Sequence, residues 1–365
     1  MTEGARESRP MSRRALGATL AGIAAAGVVA HAATRRDTYR TYCGTLPMMG
    51  VPNDLPAAQT GFVFDPADAP FASCHASTIC ETGAGLLCAW FGGAAEGAAD
   101  TLIYLSLLSD AGWSTPKVVA EGRDDGHAMW NPVLWPSPQG DVLLFYKTGP
   151  APARWMGHLL LLDQGGTPVA PPVAMPRGFL GPTKNKPLLL RDGRLLCPSS
   201  TEDRDWTVHF EWTADRGLTW EKSAPVASGY RIIQPALLQH GDGRLQALCR
   251  SRDGVIAATW SDDGGRSWSA AQATGLPGNN SGIDAMTLRD GRHALVYNPT
   301  ELCRSPLHLA ISDDGLQWRD AVRLDGGWRE YSYPSIIQGK DGALHVSYTW
   351  RRASIAHARI DLASL

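Results

Sequence analysis

The stretch SDDGGRSWS, Ser261–Ser269, packs two adjacent carboxylates, two adjacent glycines and a tryptophan into nine residues. A near copy, TADRGLTW, begins at Thr213, and a form one residue shorter, SDDGLQW, begins at Ser312; decayed relatives sit at Ser109 (SDAGW) and Asp163 (DQGGT). An aspartate that accepts from amides of its own turn, a glycine at positive φ and a tryptophan folded back on the strand make a self-contained chain reversal. These aspartates therefore read as structural, and the loop is too short for a calcium-binding EF-hand.

A second landmark runs in phase with the first. A turn glycine followed by an apolar strand recurs at Gly85, Gly140, Gly193, Gly243, Gly291 and Gly342, with spacings of 55, 53, 50, 48 and 51 residues. Six units of that length match a four-stranded propeller blade. Within a unit, short β-rich runs alternate with Gly/Asp turns, and no stretch reads as a long helix. The expected fold is all-β: a six-bladed β-propeller with four-stranded antiparallel blades over residues 60–365. The chain ends after a third strand, SIAHARID, so the sixth blade lacks its fourth. We expect an N-terminal segment near Gly61–Phe64 to fill that place and close the ring, removing an exposed sheet edge.

The bulk composition excludes other classes. At 44% hydrophobic and 19% charged, the chain can build a large core, and a net charge of -2 gives no general attraction to nucleic acid or anionic membrane. Residues 1–33 differ in kind: Arg13 and Arg14 precede a weakly apolar Ala/Gly run ending at Ala30-His31-Ala32. This reads as a twin-arginine-like export signal, or an anchor if uncleaved, followed by a leader over 34–59. The expected location is periplasmic or secreted, with no other membrane association. The seven cysteines show no CxxC spacing, Cys80 and Cys88 read as buried thiols, and no zinc or phosphate-binding motif occurs. No cofactor or metal is implied.

In a propeller the first strand of each blade lies nearest the axis, so a polar residue opening that strand faces the central mouth. The positions read this way are His75, Asn131, Lys186, Gln234, Asp284 and Tyr333. The far ends of the second strands return to the same face, bringing Lys147, Ser200, Arg250, Asn298 and Thr349 beside that ring, with Arg252, Arg304, Arg351 and Arg352 on adjoining loops. A cation-rich mouth on a chain of net charge -2 points to an anionic ligand, which guanidinium groups bind bidentately. Trp130, Trp206 and Trp328 flank this face, as sugar platforms or as packing between blades.

The Ser/Thr-x-Asp-x-Gly-x-Ser/Thr-Trp motif is the Asp box, and the arrangement over residues 60–365 resembles the sialidase (neuraminidase) superfamily with its BNR repeats. The resemblance implies three arginines on a substrate carboxylate, a tyrosine nucleophile activated by a glutamate, and an aspartate as acid/base. Tyr333 matches the tyrosine, and Arg250 and Arg304 match the second and third arginines. Three positions depart. Cys74 or His75 replaces the first arginine, Gln234 replaces the glutamate and cannot take a proton, and the acid aspartate is missing from AWFGGAAEG, where Glu96 and Asp100 stand nearby.

Three functions follow. The first is a sialidase-like exo-glycosidase acting on an acidic sugar of exported or environmental glycans, a sialic acid, related keto acid or uronate. Tyr333 would be its nucleophile, Asp284 or Glu96 its acid, and Lys186, Arg250 and Arg304 its cationic field. The second is a polysaccharide lyase using His75 and Tyr333 on a uronate glycan. The third is a non-catalytic glycan-binding propeller, which the fold equally hosts.

Overall fold

A computed structural model describes residues 55–121, 126–327 and 329–365; the export-signal reading and Trp328 lie outside them. Six antiparallel sheets follow one another along the chain, one per turn glycine. Blade 1 runs Ser73–Glu81, Leu86–Gly93, Leu102–Ser109 and Lys117–Ala120, and blade 4 runs Ile232–Gln239, Leu245–Ser251, Val255–Ser261 and Gln272–Pro277. We call these strands A to D. Among the described residues, helix is confined to three single 3-10 turns.

Blade 6 closes as expected. Its first three strands are Tyr331–Gln338, Leu344–Trp350 and Ser354–Ile360, and its fourth is Thr60–Phe62, pairing Gly61 with His357 and Phe62 with Ala356. The last strand of the propeller is thus supplied by its first residues, and neither is left as a bare edge.

The Asp boxes do the work read from their sequence. Asp263 Oδ1 accepts from the amides of Arg266 and Ser267 and from Ser261 Oγ, while Gly265 sits at φ 82 and its carbonyl takes the Trp268 indole N–H at 3.0 Å. Asp215 repeats this in the box at Thr213. The tryptophans then staple neighbouring blades: Trp268 stacks on Phe210 of blade 3 with ring centroids 3.7 Å apart, and Trp220 meets Phe145 of blade 2 edge-on at 6.2 Å. Hydrogen bonds from the hydroxyls and amides of the turn hold the Asp215 and Asp263 carboxyls down at about 2, Asp263 against the upward push of burial.

Apolar side chains on both faces of each sheet interleave with those of the next blade, so the core is a ring of inter-blade layers. One such layer joins Leu87, Phe91 and Leu105 of blade 1 to Leu134, Leu144 and Leu160 of blade 2. Cys74, Cys80, Cys88, Cys197 and Cys249 are buried free thiols within these layers. Cys303 is disulfide-bonded, which its sequence context did not reveal.

Candidate active site

The mouth is set by a register. Nine residues before the six turn glycines stand Ala76, Asn131, Lys184, Gln234, Gly282 and Tyr333. In blades 1, 2, 4 and 6 the A–B ladder slips at this point, and Ala76, Asn131, Gln234 and Tyr333 all take positive φ, between 33 and 57°. A bulge there turns the strand and re-aims its side chain, a strained conformation that a fold maintains where it positions function.

This register corrects three of the six expected ring positions. In blades 3 and 5 it is Lys184 and Gly282 that align, and Lys186 and Asp284 stand two residues further along the strand. Strand alternation returns them to the axial side one layer down. There Lys186 Nζ meets Asp284 Oδ2 at 2.7 Å, and the same carboxylate accepts from the amides of Ala285 and Ile336. With Asp284 1% exposed, the pair is an ionic plug in the channel, so the structure opposes an acid role for Asp284 and a ligand role for Lys186. Lys184 completes the plug, donating across the axis to the carbonyls of Ile283 and Pro334. In blade 1 the aligned residue is Ala76, one past His75.

Most of the second ring ties blade to blade. Thr349 Oγ1 accepts from the Ala76 amide and Ser200 Oγ from the Gln234 amide, whereas Lys147 Nζ donates to the Pro182 carbonyl and Asn298 Nδ2 to that of Tyr331. Lys147 and Asn298, expected to contact a ligand, are buried struts. Asn131 likewise spends its amide on the Thr183 carbonyl at 3.1 Å. Buried polar groups must find such partners, and here the next blade's backbone provides them. Burial brings the ammonium groups of Lys147 and Lys184 down to about 7.

Arg250 alone of that ring reaches the mouth. Its Nη1 donates to Tyr333 Oη at 2.5 Å and to Gln234 Oε1 at 3.0 Å, and its Nη2 to Asn280 Oδ1 at 2.8 Å. Trp206 carries two cations over its ring, Arg252 at 4.0 Å from the centroid and Arg250 at 5.1 Å. Behind Gln234 stands a carboxylate that the sequence reading missed: Gln234 Nε2 donates to Glu202 Oε1 at 2.5 Å. Burial raises the Glu202 carboxyl above its ordinary range, against the opposing pull of Arg250.

The other side of Tyr333 is organised by Glu330, also missed. One of its oxygens accepts from Arg304 Nη1 at 2.8 Å and Ser332 Oγ at 2.6 Å; the other accepts from Arg352 Nε at 3.0 Å. Burial pushes the Glu330 carboxyl up, but the Arg304 and Arg352 guanidinium groups outweigh it and hold the group well below the usual carboxylate range. Arg352 reaches this place from a tight turn in which both Arg351 and Arg352 have positive φ, closed by Ala353 N–H on the Trp350 carbonyl. It also meets Glu96 Oε2 at 2.5 Å and approaches His75 Nε2 at 3.5 Å. Glu96 is therefore engaged by a cation at the rim, and Asp100 caps the Ala94 amide of the same loop.

His75, though one residue off the ring, packs on Tyr333 with centroids 4.0 Å apart, and its Nδ1 has no hydrogen-bond partner among the described residues. Burial first, and Arg352 second, hold its pKa well below the usual value, so the imidazole is neutral. The site thus sets the guanidinium groups of Arg250 and Arg304 against one phenol, with Arg352 joined to Arg304 through Glu330 and a neutral histidine packed on the ring. Such a set binds an anion and stabilises negative charge on a neighbouring oxygen.

Residues 84–346 match the model of the BNR repeat-like domain. No curated protein matches the chain by sequence. Among solved structures, the chain is similar to a protein of unknown function from Dyadobacter fermentans, at 18% identity and TM-score 0.66, covering 79% of this chain and 94% of that one. A Hadza microbial sialidase aligns at 17% identity and TM-score 0.72, over 84% of this chain and 69% of that one. The sialidase of Trypanosoma rangeli, solved with 2,3-difluorosialic acid as a covalent intermediate, aligns at 15% identity and TM-score 0.62, over 79% and 54%. At these identities the likeness establishes the propeller and leaves the chemistry to the site.

Proposed function

Because the chain belongs to the BNR repeat-like domain family and shares the sialidase propeller, we propose that it is an exo-glycosidase removing a terminal acidic sugar from a glycan. The observation that carries this reading is the placement of Arg250 and Arg304 against Tyr333, with Arg352 tied to Arg304 through Glu330. A sugar carboxylate would replace water among these groups, with Glu330 fixing two of the three guanidinium planes. Arg352, from the last blade, would take the part of the arginine absent from blade 1. Tyr333 would attack the anomeric carbon, with Arg250 stabilising the charge that develops on its oxygen.

Mass spectrometry of products from sialylated, keto-acid-containing and uronate glycans tests the reading. Products heavier by one water in total are expected, and Tyr333→Phe should abolish their formation; turnover undiminished in that variant would end the proposal. One observation favours a second reading. A neutral His75 packed on Tyr333 is also the base and acid pair of a uronate lyase, whose products would be unsaturated and carry no added water.

A further inference from the structure

A cleft of about 1150 Å³ opens between blades 2 and 3. Its walls come from the segment Pro152–His158, the segment Ala174–Leu180 that leads into blade 3, and the loop and strand around Thr201–His209. Trp155, Met156, Met175 and Phe179 give it broad apolar faces, with Arg177 and Lys222 towards the outside. The volume exceeds the ~300–1,000 Å³ of pockets for drug-sized ligands, room for more than one sugar ring.

The cleft is joined to the site through one residue. Glu202 lies on its wall, and its Oε1 accepts from Gln234, whose own oxygen shares Arg250 with Tyr333. The two carboxylates the sequence offered as acids are committed elsewhere, Asp284 to Lys186 and Glu96 to Arg352. Among the described residues Glu202 forms no salt bridge and one hydrogen bond, from Gln234, with Arg250 acting on it at longer range. We propose that this cleft binds the leaving-group portion of the substrate glycan, at least a disaccharide, and that Glu202 is the acid that protonates its departing oxygen.

The inference rests on the exo-glycosidase reading. With the terminal acidic sugar over Tyr333, the bond from its anomeric carbon to the bridging oxygen would point towards Glu202 and the cleft. That bond breaks with its electron pair on the bridging oxygen, which takes the Glu202 proton and leaves as an alcohol. Tyr333 Oη bonds to the anomeric carbon, its own proton passing to solvent. Water then attacks that carbon and gives a proton to the Glu202 carboxylate; the released phenolate recovers its proton from solvent. The sum is one water consumed. An acid for this step must hold its proton near neutrality, and burial acts on Glu202 in that sense. The indole of Trp155 and the ring of Phe179 suit the apolar faces of pyranose rings.

The test compares two leaving groups on the same acidic sugar. For sialic acid the pair is 4-methylumbelliferyl sialoside, whose phenol leaves without a proton, and sialyllactose, whose alcohol does not. Glu202→Gln should lose about 100-fold or more in kcat/KM on sialyllactose and less than about 10-fold on the aryl sialoside. Trp155→Ala should raise KM for sialyllactose by about 10-fold and leave the aryl substrate unchanged. Equal losses on both substrates in Glu202→Gln would overturn its role as acid, and an unmoved KM in Trp155→Ala would overturn the subsite. If neither these nor the matching uronate pair is turned over, the glycosidase reading fails instead. Calorimetric titration with sialyllactose then decides the cleft alone, since binding must weaken in Trp155→Ala, and absent or unaltered binding overturns it.

Discussion

Arg250 Nη1 lies 2.5 Å from the hydroxyl oxygen of Tyr333 and 3.0 Å from the amide oxygen of Gln234, so one guanidinium edge joins the phenol of blade 6 to strand A of blade 4. In the relatives that the sequence resembles, a glutamate is expected where Gln234 stands. Here a neutral amide presents its oxygen to Arg250 and its nitrogen to Glu202, and the carboxyl group stands one residue further out.

An ammonium cannot reproduce that fork, because it is a point donor without a planar edge. Arg250→Lys should therefore retain the fold and lose about 100-fold in kcat/KM, comparable to losing a pre-organised donor to a developing anion. Gln234→Glu should instead place a carboxylate beside Glu202 and cost activity. Steady-state kinetics beside circular dichroism checks both; full activity in Arg250→Lys would show that the charge alone suffices.

Glu330 ties Arg304 to Arg352, and its folded pKa lies below that of an unfolded glutamate near ~4.3. A carboxyl shifted in this direction contributes stability that is fully present above the unfolded pKa and is lost as pH falls through the folded one. Glu330→Gln should destabilise the protein by no more than about 3 kcal/mol, the low end for one partner of a buried pair, because the carboxylate is one quarter exposed. The deficit should be constant from about pH 5 to 8 and shrink below about pH 4 in urea melts. A deficit that grew on acidification would contradict the assignment.

Lys147 and Lys184 predict a slope of the same sign in the alkaline range. Burial brings both to about 7, whereas an unfolded lysine titrates near ~10.4. Between those values the unfolded chain binds more protons, so their contribution to stability rises with pH, by up to roughly 1.4 kcal/mol per pH unit for each lysine. Thermal unfolding from pH 7 to 9.5 should show this rise, and Lys147→Met should remove about half of it. A wild-type Tm that fell steadily over that range would show that these ammonium groups are not the controlling charges.

The blade count was legible because it rests on local chemistry. An Asp box or a Gly-led hairpin is specified by fewer than ten residues, and six of them in phase leave few alternatives. Ring closure by Thr60–Phe62 followed from counting strands. The height of each side chain along the axis was harder, because apolar alternation tells which face a strand buries and not where a bulge falls in it. Reading the polar residue beside a proline or alanine gave His75, Lys186 and Asp284, whereas counting nine residues back from each turn glycine gives Ala76, Lys184 and Gly282. Glu330 and Glu202 were hidden for another reason. They stand on loops, and their partners lie on other strands or blades, so no sequence spacing relates them.

Gly282 turns that register into a test of the site. It is the ring position of blade 5, and it lies flat against Tyr333: a Cβ built there would stand 3.1 to 3.2 Å from three atoms of the phenol ring. Its φ is not in the left-handed region, so alanine meets no backbone penalty and the whole effect falls on the contact. The ring must then give by a few tenths of an ångström, and it is pinned on its other sides by His75, Arg250 and Arg304. Gly282→Ala should therefore pull the phenol off the Arg250 fork and lower kcat/KM by about 10- to 100-fold, the scale of small misplacements in a reactive geometry. Tm should fall by no more than about 4 °C, as for a loss near 1 kcal/mol in a chain of this size. A double variant with Tyr333→Phe should be no worse than Tyr333→Phe alone, because the glycine acts only through that hydroxyl. Unchanged kinetics in Gly282→Ala would mean that Tyr333 is not held where the reaction needs it.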